Sequence, residues 1–420
     1  MAGLLESRCS RVSTILCAHL YRSSTPRGLQ SVAMSTPLAK FALMFGNFVI
    51  GLAILAPAGM LSELAQGLAV NIRDAGLLVT FGAVVLCFGS PLVTWAASAI
   101  ERRTLLSATI ALVAVGQAAS AFAPDYGTLL TVRLVMVAVA AIYTPQAAST
   151  VALIVPVKER PGAIAFVFLG WSLALAAGLP LVTFLAAHFG WRVAYGALAG
   201  LSGLSCLLLV LGLPARLAAA AVSLRSWGAI VRNGSIVLLL LITTLMTSAL
   251  FLVYTYLGPL LQKLVEAGPR TIGTFFALFG VAGFVGNVIA TRVVTRLGAF
   301  TTSAIFILSM CLGALVWSLG VGAVAAMAVG IVLQGFGFAA ANSMQQARLV
   351  AAGPELSSAT VALNTSSIYV GQALGSALGG FLFEHEHLMA VGYATAAFFG
   401  AALVVLALTR RPAGKLEQNA

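Results

Sequence analysis

Acidic residues are scarce in this 420-residue chain: 11 Asp and Glu stand against 23 Lys and Arg, and charged residues make up only 8%. Soluble domains carry about a quarter charged residues, which excludes an ordinary water-exposed globular surface. Cysteines are few and unpatterned. Cys9, Cys17, Cys87, Cys206 and Cys311 share no spacing motif, so neither a disulfide framework nor a thiolate metal site is expected. No phosphate-cradling P-loop and no nucleophile motif occurs, which leaves an ATP-driven pump or a membrane enzyme without support. The run "EHEH" at 384–387 reads as a solvated turn rather than a metal site, and no cofactor is expected.

What is abundant is apolar length. Hydrophobic residues make up 60% of the chain and the mean hydropathy is +1.05. Uncharged apolar runs of about 18 residues or more recur, each long enough to cross a bilayer. Spans are predicted at 41–62, 76–98, 104–123, 127–153, 162–187, 193–213, 235–260, 271–293, 300–319, 322–345, 357–383 and 388–408. The expected fold is therefore an all-α integral membrane protein with twelve transmembrane helices. Continuous runs, rather than short alternating ones, argue against a β-barrel.

The net charge of +12 follows this topology. Segments on one side carry Arg102, Arg103, Lys158, Arg160, Arg216, Arg225, Arg232, Arg292, Arg296, Arg348, Arg410, Arg411 and Lys415. The other side holds only Arg73, Arg192, Lys263 and Arg270. The positive-inside rule then places both termini in the cytoplasm of an inner-membrane protein, whose partner is the lipid bilayer and not nucleic acid. Residues 1–39 form an N-terminal extension. Residues 1–33 are Arg- and Ser-rich like a transit peptide, but the expectation is that Met34 is the true start.

A linker at 214–234 separates a six-helix bundle at 40–213 from another at 235–408, and a tail follows at 409–420. The halves echo each other. The fifth span contains "GWSLALAAGLP" (170–180), with Gly170, Ala174 and Gly178 four apart; the eleventh spaces Gly371, Gly375 and Gly379 likewise. A basic turn follows Gly82 and Gly89 on the second span, and another follows Gly280, Gly283 and Gly286 on the eighth. A repeat of six helices is the signature of a two-half transporter. Small residues every fourth position let backbones approach closely in lipid. Their presence on both spans predicts that they form the seam between the halves, although each stripe singly could pack within its own half. Pro180 frees the carbonyl of Ala176 and predicts a bend.

Residues 170–192, "GWSLALAAGLPLVTFLAAHFGWR", join a Gly and a Gly-x-Pro to a following Gly-Trp-Arg in register. "GSPLVTWAASAIERRTLL" (89–106), "VYTYLGPLLQ" (253–262) and "LNTSSIYVGQALGSALGG" (363–380) accompany them. On these stretches the chain resembles the major facilitator superfamily over about residues 38–410. Within it, the resemblance is to the twelve-helix drug/proton antiporter branch and its arabinose-efflux-permease-like group. It implies two pseudo-symmetric bundles that alternate access to a small-molecule substrate, with protons as the coupling ion. It also marks Gly89, Arg102, Arg103, Gly286, Arg296 and Gly298 as positions of the cytoplasmic loop motif. The chain departs from that pattern at Ser98, Glu101 and Thr295–Gly298, at Met136 and Val137 in the fourth span, and at Ile54, where many relatives carry an acid.

No acid falls near a bilayer midplane. Glu63, at the outer end of the first span, and Asp74, just before the second, are the nearest outer carboxylates for proton coupling, and both also read as solvated loop charges. Arg133 is the one charge inside a helix. The resemblance implies a part in proton transfer; the alternative is an Arg held by backbone carbonyls in its own half. The cavity implied by the fold draws on Asn47, Tyr143, Gln146, Trp171, Thr243, Thr244, Tyr254, Tyr256, Asn287, Gln334, Asn342, Asn364, Tyr369 and Gln372. Some of these must be interhelical glue. Together they suit neutral or moderately polar organic molecules. The expected function is export of such molecules, a drug or a sugar- or nucleoside-like metabolite, by proton antiport from a monomer. Uptake by symport or facilitated diffusion, and a non-transporting receptor on the same fold, are the alternatives.

Overall fold

The computed structural model describes residues 27–96, 100–156, 159–215, 217, 233–352 and 357–409. Expectations for the chain ahead of residue 27, for Ser98, for most of the linker and for the tail beyond Thr409 lie outside these residues. Among the described residues there is no strand, and ten helices are long and apolar enough to cross a membrane. One of these, Pro269–Leu319, has 51 residues but turns at Gly298 (φ 74, ψ 164), a positive-φ geometry that suits glycine. Its two arms are spans 8 and 9. Ser357–Glu384 packs beside the others as span 11, which brings the transmembrane helices to twelve.

The remaining spans are 1 (Arg27–Gly59), 2 (Ile72–Ala96), 3 (Arg102–Ala121), 4 (Tyr126–Ala140 and Tyr143–Ile154), 5 (Arg160–Leu173, Ala174–Gly178 and Leu179–Phe189), 6 (Trp191–Gly212), 7 (Gly234–Tyr254), 10 (Val324–Ala352) and 12 (Leu388–Leu408). Short helices Leu61–Gly67 and Leu257–Val265 follow spans 1 and 7 directly, at the end of the bundle where those two spans finish. Caps mark some starts. The Asp125 carboxylate accepts from the Thr128 backbone N–H (2.9 Å) and hydroxyl (3.0 Å) ahead of span 4. The Asn233 side chain accepts from the Ser235 N–H (3.1 Å) ahead of span 7.

Prolines explain most interruptions, because each removes the donor for the carbonyl four residues back. Pro145 does so for Ala141, where span 4 turns at 141–142. Pro259 does so for Thr255, and span 7 ends at Tyr254 instead of running to 260 as expected. Pro180 does so for Ala176. Rather than a simple bend, residues Ala174–Gly178 form a π-helical turn in which the Leu179 N–H bonds the Ala174 carbonyl, five residues back.

Packing corrects one expectation about the seam. The halves meet where span 2 lies against span 11 and span 5 against span 8, not through the small-residue stripes. A Cβ on Gly170 would strike the Met44 carbonyl, one on Gly178 would strike Leu52, and Gly51 faces Ala174, so that stripe faces span 1 in its own half. Gly371, Gly375 and Gly379 similarly back onto Thr244, Ser248 and Leu252 of span 7. Close backbone approach is needed most between helices of one bundle. The cross-half contact on span 5 uses its other side: Gly280 of span 8 sits against the backbone of Leu175 and Ala176, and a Cβ on Gly273 would come within 3.7 Å of Pro180. Large apolar side chains such as Phe88, Phe122 and Leu211 point outward, as a hydrocarbon solvent requires.

Candidate translocation path

Arg133 sits in the middle of the first bundle, buried to 1% exposure. Its Nε donates to the Leu78 carbonyl (2.9 Å), Nη1 to Ala53 (3.0 Å) and Nη2 to Ile54 (2.5 Å). The Ala53 carbonyl lacks its helical partner because Pro57 follows four residues later. Gly82 leaves room for the guanidinium, which passes 3.8 Å from where a Cβ would be. The Tyr195 side chain of span 6 lies within interaction range. All three nitrogens are thus occupied by carbonyls of spans 1 and 2. This is the geometry of the structural alternative, an Arg clamping its own half, and not of a group aimed at a carboxylate.

Each half carries one amide network on equivalent helices. In the first, Asn47 of span 1 donates to the Val167 carbonyl (3.1 Å) and accepts from Thr144 of span 4 (2.8 Å). Thr144 in turn accepts from the indole N–H of Trp171 on span 5 (3.3 Å). In the second, Thr243 of span 7 donates to Asn364 of span 11 (2.8 Å), whose amide donates to Asn342 of span 10 (3.4 Å). Spans 1, 4 and 5 are thereby matched by 7, 10 and 11. Thr144, Trp171 and Asn342 are half-buried and keep partial access, whereas Asn47 and Asn364 are buried. Asn287 of span 8 accepts from Ser343 (2.8 Å) beside the second network.

Several candidates for cavity lining are placed elsewhere. Tyr143 is buried, fills the notch above Gly46 and donates to the Leu43 carbonyl (3.3 Å). Gln146 accepts from Arg102. Both are glue. Tyr254 is buried against Phe276 and Phe279 at ring distances of 5.2 and 4.7 Å, and its hydroxyl has no hydrogen-bond partner. The Gln334 amide is buried without a partner, and Gln372 is buried on span 11. Tyr256 lies in the turn after span 7, at the seam between the halves.

At the end of the bundle opposite the loop-motif turns, Arg73 at the start of span 2 pairs with Glu384 at the end of span 11 (2.7 Å). Ser62 donates to Gln262 across the same seam (2.7 Å). Lys263 pairs with Glu386 (3.1 Å). The "EHEH" turn is therefore ion-paired through both carboxylates instead of merely solvated. The Arg73–Glu384 contact joins residues 311 apart, so no local spacing could announce it. Among the described residues no cluster of three or more His, Cys, Asp or Glu could hold a metal. Asp74 stands in the first turn of span 2, not ahead of it. Its carbonyl accepts from Tyr126 (2.7 Å). Glu63 lies on the short helix Leu61–Gly67, half-buried, and burial pushes its carboxyl up from the ordinary value.

The loop-motif positions occupy the opposite end. Arg102 is buried, donates to Gln146 through Nη1 and bonds the Leu217 carbonyl through its backbone N–H (2.9 Å). Arg103 is half-exposed and Arg296 exposed. Gly89 lies near Ala141, Gly286 meets the Phe336 carbonyl on span 10, and Gly298 makes the turn between spans 8 and 9. Arg348, read from sequence only as a topology charge, bonds Gln345 (3.1 Å) and Thr409 (2.6 Å) and lies 5.3 Å over Phe300.

Two bundles within a membrane, joined along two helix pairs and carrying matched polar networks, define a multi-pass membrane transporter rather than an enzyme. The family model described as Major Facilitator Superfamily matches residues 43–354 and 267–420, and the chain belongs to that superfamily. Over 367 residues it is 30% identical to the inner membrane transport protein YdhP of Escherichia coli (strain K12), covering 87% of this chain and 93% of that one. A probable sugar efflux transporter of Mannheimia succiniciproducens is 26% identical, with coverage of 86% and 91%. Among solved structures, the nucleoside transporter NupG matches with a TM-score of 0.72 at 12% identity, covering 90% of this chain and 100% of that one. The human organic anion transporter MFSD10 matches at 0.67 and 16%, covering 89% and 99%. At such identities these two likenesses concern the fold alone.

Proposed function

We propose that this transporter exports small neutral polar organic molecules across the inner membrane as a monomer, by alternating access and in exchange for protons, with both termini cytoplasmic. The observation that carries the substrate class is the matched pair of uncharged networks, Asn47–Thr144–Trp171 and Thr243–Asn364–Asn342. Hydroxyls and amides on both sides of the seam suit a hydroxylated solute, and no fixed charge accompanies them. The relative bearing the name of a probable sugar efflux transporter supports a sugar-like solute and the outward direction. Proton exchange rests on the antiporter-like span 5 and on the outer carboxylates Glu63 and Asp74, with Arg133 holding the first bundle together. The small-residue stripes hold each bundle rigid while the halves rock.

A second reading, carrier-mediated diffusion without an ion, is favoured by the lack of any acid at a bilayer midplane. Uptake of radiolabelled sugars and nucleosides into inverted vesicles separates the two. The proposal expects accumulation of at least one neutral solute when the lumen is acidified. Transport that ignores the gradient removes proton antiport, and no transport of any panel member removes the export reading.

A further inference from the structure

Resting on the transport reading, we propose that Tyr256 is the plug of the outer seal, with Gly76 and Gly380 as its socket and the Arg73–Glu384 pair as the clasp over it. Tyr256 lies in the break that Pro259 imposes after span 7, and its side chain is 1% exposed. The hydroxyl end of its ring occupies the space that a Cβ would need on Gly76 of span 2, in the other half, and on Gly380 of span 11. One side chain of the second half therefore fills a notch in the first. Phe383 stacks on the ring at 5.9 Å, and Lys263 lies 5.0 Å over Phe383. The stem of Arg73 closes over Gly380 before its guanidinium reaches Glu384. Above the plug lies a vestibule of about 430 Å³ that includes Asn71, Arg73, Lys263, Phe383 and Glu384 in its walls.

This arrangement separates two jobs. The ring excludes solute, because it removes the space between the backbones of spans 2 and 11. The ion pair holds the ring in place, and an exposed pair is weak enough to be broken once per cycle. Outward opening must withdraw Tyr256 from Gly76 while it remains tethered to span 7. Anything that keeps the ring out of the notch holds the outer end open.

The test measures distance and needs no substrate. Spin labels at the exposed positions Gln66 and Glu266, one in each half, are placed on a cysteine-free protein in lipid nanodiscs, and pulsed electron paramagnetic resonance reads their separation. G76V and G380V, and the milder G76A, are expected to shift the distribution to longer distances, as is Y256A. R73E and E384R each lengthen it, and the double variant R73E/E384R restores the original distribution. A second label pair within one half must stay unchanged, which distinguishes opening from misfolding. An unshifted distribution in G76V and Y256A, or a double variant that stays open, overturns the seal. If the distances behave as expected while vesicles carry no solute, the transport reading fails and the seal stands.

Discussion

In the first half, a guanidinium at the start of span 3 ties that helix to span 4 through Gln146, and its backbone reaches Leu217 just beyond span 6. In the second half, the guanidinium stands on span 10 instead, and reaches Phe300 at the start of span 9 and Thr409 just beyond span 12. By the six-helix repeat, 3, 4 and 6 correspond to 9, 10 and 12. The helices that are tied are therefore the same, and the residue that ties them has moved. Inside the bundles the halves diverge further. Arg133 clamps the first, whereas the second packs Tyr254, Phe276, Phe279 and Phe338 with no buried charge among them. Pseudo-symmetry here retains connections between helices and leaves their chemistry free.

The comparison predicts its largest effect at Arg133. R133A removes three hydrogen bonds from a charged donor and strands the Ala53 carbonyl, which Pro57 leaves without a helical partner, at a cost of about 1–3 kcal/mol for that one acceptor left dry. Thermal unfolding in detergent should show the greatest loss of any single substitution. The pH profile of residual transport should keep its shape, since the clamp and not a titration is removed; a flattened profile would return Arg133 to proton transfer.

Next come R102A and R348A, expected to destabilise by similar amounts of about 1–3 kcal/mol, because each removes a charged hydrogen bond at an equivalent corner. A large inequality between them would break the equivalence of the two corners. Close contacts rank third. Gly178→Leu and Gly280→Ala press side-chain atoms onto Leu52 and onto the Ala176 backbone, and should reduce transport at least roughly tenfold, in line with about 1–3 kcal/mol of overpacking. Gly203→Ala, with nothing within 4 Å of the added methyl, should match wild type.

The smallest effect is at Glu63. Its raised pKa means the folded protein holds the proton more tightly than the unfolded chain does. Stability should therefore fall as pH rises from the ordinary value near 4.5 through the raised one, and level off above it. E63Q should abolish that slope, giving a more stable protein at neutral pH and no gain at pH values below the ordinary one. If Glu63 also couples protons, the same variant flattens the pH dependence of export.

The helices were legible because a bilayer demands continuous apolar length, and most of their ends fell within a few residues of the hydropathy limits. Partners were not legible, because spacing shows that a face is small without showing what it meets. The spacing of Gly170 and Gly371 predicts a place in the seam, and they face spans 1 and 7 instead. The site was half legible: Asn47 and Asn364 stand in networks as their polarity required, while Tyr143 and Gln146 became glue. Arg348 and the Arg73–Glu384 clasp depend on contacts between distant residues and left no local trace.

The π turn at Ala174–Gly178 also explains why small residues recur at intervals of four on span 5. In an unbroken α-helix each step of four overshoots one full turn by about 40°, so Gly170 and Ala186 would end about 160° apart. The wider turn absorbs an extra residue and resets the phase. Ala174, Gly178, Val182 and Ala186 consequently all stay buried along one helix. The opposite wall of the same turn is left as bare backbone against Gly280. A four-residue period sustained past a proline is thus a readable mark of a helix that must keep one neighbour while touching another.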